Sequence, residues 1–439
     1  MIAASALRPL QHKNFTLLWT ASLVSNVGSW MQTVAVGALV ISQTGQASWA
    51  VLVAAGAFLP IGLLSPVGGA LADRVPRKAM IAGGNLAAAV IAAAIALLVA
   101  GGHDGPYGLL GLVTLQGAVS ALIGPFSQAI LPDLVPRSEF LAASSLNSAQ
   151  WNAGRIVGPA LAGATVAAFG FAASFTANAV SFLAVVIAVL FVRLAPPPGS
   201  EPGLLRSMLG GWRAAWAQPS CRAAITGIAV IAFLAAPFIA LLPAMALEVS
   251  HGGGGTQVAA ATAALTTAQG AGAVLGAFCL PPLAHRIGRG QALGWSLALL
   301  PLALAGYGAA GSLWWAVAAL FAVGLVYMSV LSGLQTVTQL FAPAAYRGRV
   351  LSFFLVALGV AYPLGALAQG PVADHVGVGW STAGSALVLA VVGLLVAWRR
   401  PGFVRALTAR ESPEAQQPAA PPDELADGGP CVAPATSGS

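Results

Sequence analysis

Residues 68–78 read Gly68-Gly69-Ala70-Leu71-Ala72-Asp73-Arg74-Val75-Pro76-Arg77-Lys78, a knot of charge between two long uncharged runs. Residues 49–72 before Asp73 and 79–102 after Lys78 contain no Asp, Glu, Lys or Arg. Each run exceeds the roughly 20 apolar residues that cross a bilayer as a helix. A short basic loop between two such runs is a turn between membrane helices, and its basic side chains mark the cytoplasmic face. Composition points the same way. Only 7% of the 439 residues are charged and 58% are hydrophobic, whereas a soluble domain is about 25% charged. Gly and Pro are abundant inside the apolar segments, where packing against neighbouring helices tolerates them.

The same reading along the chain predicts an all-α polytopic membrane protein of twelve transmembrane helices. The expected spans are 15–39, 49–72, 79–101, 107–131, 144–168, 171–194, 223–247, 257–280, 291–311, 313–341, 350–371 and 380–398. The turns after 168 and 311 are the least marked, carrying only Gly170 and Gly311-Ser312. The basic residues test this count. Arg8, Lys13, Arg74, Arg77, Lys78, Arg137, Arg193, Arg206, Arg213, Arg222, Arg286, Arg289, Arg347, Arg349, Arg399, Arg400, Arg405 and Arg410 all fall on one face of a twelve-span chain. The other face has no Lys or Arg and carries Asp104, Glu248 and Asp374 with His103, His251 and His375. This asymmetry predicts both termini in the cytoplasm. Arg8 and Lys13 ahead of an apolar run also have the look of a signal peptide. A long first run followed by many more reads instead as a retained first helix.

The expected organisation is therefore a cytoplasmic N-terminus (1–13), a six-helix half (14–195), a cytoplasmic linker (196–221), a second six-helix half (222–398) and a cytoplasmic disordered tail (399–439). In the linker, Leu204, Leu205, Leu209, Trp212 and Trp216 have helical spacing after Pro196-Pro197-Pro198. They form either an interfacial helix or a short helix packed on the bundle. Residues 411–439 are rich in Pro, Ala, Gly and acid, and read as disordered.

Other classes are excluded by what is missing. The basic residues form small groups between spans, with no basic stripe for nucleic acid. Cys221, Cys279 and Cys431 are far apart, with no CxxC, so a metal site or disulfide framework is not expected. There is no GxxxxGK[ST], HExxH or nucleophile elbow, so neither ATP drive within this chain nor catalysis is expected, and no cofactor. The class that remains is a transporter. A receptor or scaffold that binds without transporting, or a membrane-embedded enzyme, would be its rivals.

The halves echo each other. Leu71-Ala72-Asp73-Arg74-Val75-Pro76-Arg77 aligns with Leu283-Ala284-His285-Arg286-Ile287-Gly288-Arg289, 212 residues on. Gln128, Pro136, Gly158 and Gly163 align with Gln335, Pro343, Gly365 and Gly370, 207 residues on. Two similar halves around a central path allow alternating access.

Three features carry the candidate chemistry. Asp73 ends its expected span beside Arg74, Arg77 and Lys78. A carboxylate there can accept from a helix N-terminus or pair with Arg on a neighbouring loop, making a conformational latch; alternatively the basic residues only set topology. Arg286 and Arg289 repeat the arginines in the second half, where His285 replaces Asp73. Arg155 is the one basic residue outside the cytoplasmic set, near mid-membrane. A charge at that depth faces a cavity or a partner, and no acid lies deep in any expected span. Its candidate partners are Asn26, Gln32, Gln116, Gln128, Asn147, Gln150 and Asn152, backbone, water or an anionic ligand. It either meets substrate or ties helices together. Finally, Gly154-xxx-Gly158-Pro159-xxx-Gly163 gives close helix contact with a proline bend, as a hinge, a seal or a passive packing face. Gln269, Gln335, Gln339, Gln369 and Asn178 are further polar residues in spans, to be divided between cavity and interhelical bonds. Trp19, Trp30, Trp151 and Phe126 are candidates for apolar walls.

The twelve-span pattern and Gly68-Gly69-x-Leu71-Ala72-Asp73-Arg74-x-x-Arg77-Lys78 resemble the major facilitator superfamily and its signature loop between spans two and three. The Gly154–Gly163 run is similar to that superfamily's antiporter motif on span five, with Ala162-Gly163 where Gly-Gly is usual. The opening, from His12-Lys13-Asn14-Phe15 to Trp30-Met31-Gln32, resembles the branch of the bacterial enterobactin exporter and secretion-effector permeases. The resemblance covers roughly residues 10–400. It implies a monomeric rocker-switch transporter in the bacterial inner membrane, often exporting a small organic molecule against protons. A facilitator or importer is the alternative within the class. Asp73, Asp133, Glu248 and Asp374 all lie near span ends, so coupling would use one of these or the substrate's own charge, or be absent.

Overall fold

The computed structural model describes residues 7–72, 74–192, 212–343 and 346–408. Long helices account for nearly all of them, as the uncharged runs require: in lipid a backbone must satisfy its own hydrogen bonds. In chain order they are α1 (Lys13–Thr44), α2 (Ala47–Ala72), α3 (Arg77–Ala100), α4 (Pro106–Ala129), α5 (Phe140–Phe169) and α6 (Phe171–Phe191). After the linker come α7 (Pro219–Leu234), α8 (Leu242–Val249), α9 (Gly255–Ile287), α10 (Arg289–Gly308), α11 (Leu313–Phe341), α12 (Arg347–Val376), α13 (Val378–Arg399) and the short α14 (Pro401–Thr408). Among the described residues nine helices are long and apolar enough to cross a membrane. They are α1, α2, α3, α4, α6, α9, α11, α12 and α13. The chain is thus an all-α, multi-pass membrane protein.

The expected span 223–247 is not one helix. It breaks into α7, a 3-10 turn at Ala236–Ile239, and α8. Pro237 cannot donate to the carbonyl four residues back, which belongs to Phe233. The Gln369 amide on α12 fills this gap, donating to the carbonyls of Phe233 at 3.2 Å and Leu234 at 3.1 Å. The tail also differs from expectation, because Pro401–Thr408 is helical, with Leu407 buried. In the linker, residues 193–211, including the leucines and Arg206 of the expected interfacial helix, lie outside the described residues. Trp212 stacks on Trp216 at 3.9 Å and meets Phe353 of α12 edge-on.

Glycines decide how closely the helices approach. Where α2 meets α4, a Cβ on Gly68 would strike the carbonyls of Ala121 and Leu122. Where α9 meets α11, Gly272 and Gly276 abut the backbone of Phe321 and Leu325. The second pair stands in the same order in its half of the chain as the first. Gly170 (φ 79°) joins α5 to α6, and Gly377 (φ 88°) joins α12 to α13. Both need the left-handed backbone that only glycine adopts freely, and they stand 207 residues apart, like Gly158 and Gly365.

The helix ends fall into two sets. One holds Asp104, Glu248 and Asp374, and is called the acidic face below. The other holds Arg77, Lys78, Arg137, Arg286, Arg289 and Arg347, and is called the basic face.

Helices α2 and α12 run antiparallel along the seam between the first six helices and the rest. Ser48 lies opposite Asp374, Val51 opposite Gly370, and Gly62 opposite Gly359. Beside them α5 meets α9, with Gly163 against Ala263 and Gly270 against the backbone of Arg155. Pro243 of α8 fills the place of a side chain at Gly37 of α1. These glycine contacts and the Ser48–Asp374 and Arg155–Gln269 hydrogen bonds lie between the acidic face and the level of Arg155 and Gly62.

Candidate functional site

A cavity of about 500 Å³ runs past that level, mostly within the first six helices. It extends along α1 from Phe15, Leu131 and Leu134 near the basic face to Gly37, Ala50 and Pro243. Helices α1–α6 supply most of the wall, with Ile239, Ala240 and Pro243 from the broken α7–α8 segment and Tyr362 from α12. Phe58 of α2 and Tyr362 meet edge-on across the seam, with ring centres 5.6 Å apart. Every lining side chain among the described residues is uncharged. Amides and hydroxyls, including Asn26, Gln32, Asn85, Gln116, Gln128 and Gln150, alternate with aromatic and aliphatic groups. Such a wall offers hydrogen bonds to a guest without a fixed charge.

The α1–α5 packing builds one side. The two helices run in the same direction. Trp19 Nε1 donates to the Leu146 carbonyl at 3.1 Å, and Asn26 Nδ2 to the Gln150 carbonyl at 2.9 Å. A Cβ at Gly154 would lie 2.5 Å from Asn26 Nδ2, and one at Gly158 would lie 2.5 Å from Trp30 Cβ and 2.8 Å from the Val27 carbonyl oxygen. Two of the three glycines in the motif therefore seat α1, and the third, Gly163, faces α9. On the far side of α1, Asn178 of α6 donates Nδ2 to Gln32 Oε1 at 2.7 Å and accepts from the Ser181 hydroxyl at 3.0 Å. Asn178 is fully buried. Asn178→Leu is expected to cost about 1–3 kcal/mol by orphaning the Gln32 carbonyl. Thermal unfolding in detergent checks this, with Ser181→Ala expected to cost less because Asn178 keeps its bond to Gln32.

Arg155 lies beside the cavity, in the seam. Its Nη2 donates to Gln269 Oε1 of α9 at 2.7 Å, and its guanidinium sits 5.9 Å from the centre of the Trp30 ring. Arg155 Nε and Gln269 Nε2 are buried without hydrogen-bond partners. The seam joins Arg155 to Gln269, which was expected separately, and not to the amides proposed from sequence. Asn26, Gln32, Gln116, Gln128, Asn147, Gln150 and Asn178 line the cavity with Trp19, Trp30 and Trp151. Arg155, Asn152, Gln269, Gln335, Gln339 and Gln369 are not among its lining residues. Asn152 bonds its own helix at Ser148, and Phe126 is buried in the core.

At the basic face, Arg77 is buried and donates to Asp133 at 2.9 Å and to the Ala129 carbonyl at 3.2 Å. Lys78 caps the end of α6 through the carbonyls of Leu190 and Val192, at 2.7 and 3.1 Å. Both sets of bonds stay within α1–α6 and the helical turn after α4. Asp73 lies outside the described residues. Arg286 is exposed near the end of α9, and Arg289 opens α10. Asp133 as the partner of Arg77 was not foreseen, because the two are 56 residues apart and only the α3–α4 packing joins them.

A family model described as transmembrane secretion effector, of the MFS group, matches residues 4–423. The chain belongs to this family of the major facilitator superfamily. The superfamily is one of transporters rather than enzymes. An uncharacterized MFS-type transporter, YfiS of Bacillus subtilis, is 27% identical over 398 residues, covering 87% of this chain and 92% of the relative. The multidrug efflux pump Tap of Mycobacterium tuberculosis (H37Rv) is 28% identical over 403 residues, covering 88% and 93%. The enterobactin exporter EntS of Shigella flexneri is 27% identical over 251 residues, covering 54% and 56%. Among solved structures, a bacterial homologue of the lysosomal transporter Spinster, inward-facing and occupied, superimposes with a TM-score of 0.72 at 17% identity. It covers 92% of this chain and 99% of that one, and it supports the fold alone. This member of the superfamily is thus a lipid-embedded transporter of small molecules.

Proposed function

We propose that this chain exports a small organic molecule, drug-like or siderophore-like, by alternating access of two six-helix halves, 14–195 and 222–398. The proposal includes all twelve expected spans, the 196–221 linker, cytoplasmic termini in a bacterial inner membrane and a monomeric carrier. The observation that carries it is the uncharged cavity, which reaches from Phe15 and Leu134 near the basic face to Gly37, beside glycine contacts across the seam that lie toward the acidic face. With the basic face cytoplasmic, this is a carrier ready to load from inside. An aromatic and amide wall supports an amphipathic guest with hydrogen-bonding groups. The efflux and siderophore-export names of Tap and EntS support direction and class. In this reading Asp73, Arg74, Arg77, Lys78, Arg286 and Arg289 gate the basic face, and Gly158 and Pro159 shape α5. Arg155 and Gln269 form the inner end of the seal. Protons drive export.

A second reading is an uncoupled facilitator. It is favoured by the absence, among the described residues, of Asp or Glu in the middle of any long helix. Proteoliposomes with an imposed pH gradient separate the two. A panel of amphipathic dyes and siderophores is expected to show gradient-dependent flux that falls at least ten-fold in Asp73→Asn. Flux indifferent to the gradient would favour the facilitator, and no flux of any compound would remove the transport reading.

A further inference from the structure

At the acidic face two carboxylates do the same chemistry in different places. A helix N-terminus leaves backbone N–H groups unsatisfied and carries partial positive charge that a carboxylate stabilises. Glu248, on α8, accepts from the N–H of Val378 at 2.6 Å and of Gly379 at 3.4 Å, which begin α13. Both helices belong to the chain after residue 212. Asp374, at the end of α12, accepts from the Ser48 N–H at 3.3 Å through each carboxylate oxygen, and from the Ser48 hydroxyl. Ser48 is in the first turn of α2. Here the capped helix and the capping residue lie on opposite sides of the seam, 326 residues apart. One turn from Asp374, a Cβ on Gly370 would lie 3.2 Å from Ser48 Cα, so the two backbones touch beside the cap.

We propose that Asp374 is the outer latch of the carrier. Its carboxylate holds the N-terminus of α2 and thereby stabilises the state closed at the acidic face. The proposal rests on the alternating-access reading above. When α2 and α12 part at this face, Asp374 loses its donors and α2 loses its cap, so these bonds favour one state alone. Glu248 keeps its donors in either state, because α8 and α13 move together. Neutralising Asp374 therefore shifts the conformational balance, and neutralising Glu248 leaves it unchanged. The latch is also graded. The Ser48 hydroxyl is one of three contacts, and Lys in place of Asp374 would set positive charge against the positive end of α2.

The test measures distance between spin labels at Gln46→Cys and Val376→Cys, exposed positions on the two sides of the seam, with the native cysteines replaced by serine. The doubly labelled background, with Ser48, Asp374 and Glu248 intact, should give one short distance population. In Asp374→Asn the ratio of long to short distances is expected to rise roughly three- to ten-fold. The order should be background, Ser48→Ala, Asp374→Asn, Asp374→Lys, with Glu248→Gln unchanged. Because Ser48→Ala removes only a hydroxyl, it remains informative if an Asp374 variant fails to fold. Equal distributions in Ser48→Ala and every folded Asp374 variant would overturn the latch. So would an equal shift in Glu248→Gln, which would mean general loosening. The readout needs no substrate. A distance shift in a chain that moves nothing would fail the transport reading and keep the latch, whereas transport without the shift would fail the latch alone.

Discussion

Gln269→Leu is expected to destabilise the protein more than Arg155→Met. In most seams the charged residue is the costly one to remove, but here the balance is reversed. The guanidinium of Arg155 is held by Gln269 Oε1 at 2.7 Å and by the Trp30 ring, with no carboxylate in the pair. Removing Gln269 leaves a cation in the seam without its acceptor, at a cost of about 3 kcal/mol. Removing the guanidinium instead ends the desolvation of a charge and leaves one neutral amide without a partner, which costs about 1 kcal/mol or less. The double variant should recover most of what Gln269→Leu loses. Thermal unfolding of the four proteins in one detergent measures this. If Arg155→Met proves the more damaging, the guanidinium has a stronger partner than Gln269, and the seam would have to be reassigned.

The second large effect is at Gly158. Gly158→Val is expected to reduce transport to background and to lower the melting temperature. The new Cβ would lie 2.5 Å from Trp30 Cβ, 2.8 Å from the Val27 carbonyl oxygen and 3.3 Å from the Met31 nitrogen. Two of those three atoms are backbone of α1, so no rotamer change relieves them and the helix itself must move. Overpacking of this kind costs about 1–3 kcal/mol or more, and the displaced α1 carries Asn26, Trp30 and Gln32 out of the cavity wall. Gly111→Ala is the matched control. A Cβ there meets nothing within 4 Å, and transport should persist. Activity in Gly158→Val equal to that of Gly111→Ala would show that α1 and α5 do not need this contact.

The helices were legible in the sequence because lipid imposes one rule on every apolar run, and each expected span overlaps an observed helix. The seventh shows the limit of that rule. Pro237 and Pro243 signalled a break, yet a hydropathy run is blind to it. The Gln369 amide that makes the break tolerable comes from a helix more than a hundred residues away. The glycine motif on α5 was readable as a packing face, but its division between α1 and α9 was not, since spacing along one helix does not name its neighbours. Arg155 was recognisable as a residue needing a partner. Gln269 could not be chosen over the seven amides named as candidates, because the choice depends on which face of α9 meets the seam. Asp374 reads in sequence as one more acid on an acidic face, and only the antiparallel register of α2 and α12 brings it to Ser48.

Arg155 has one more consequence. Among the described residues it is the only formal charge in the middle of a long helix, while the cavity beside it is lined by uncharged side chains. A unit charge crossing the whole transmembrane field exchanges about 2.3 kcal/mol per 100 mV. A reorientation that carries α5 through a tenth of that field exchanges about 0.2 kcal/mol. The empty carrier is therefore electrically marked. Each swing displaces charge whether or not cargo is aboard, so a transient capacitive current would report the conformational cycle even for a neutral guest.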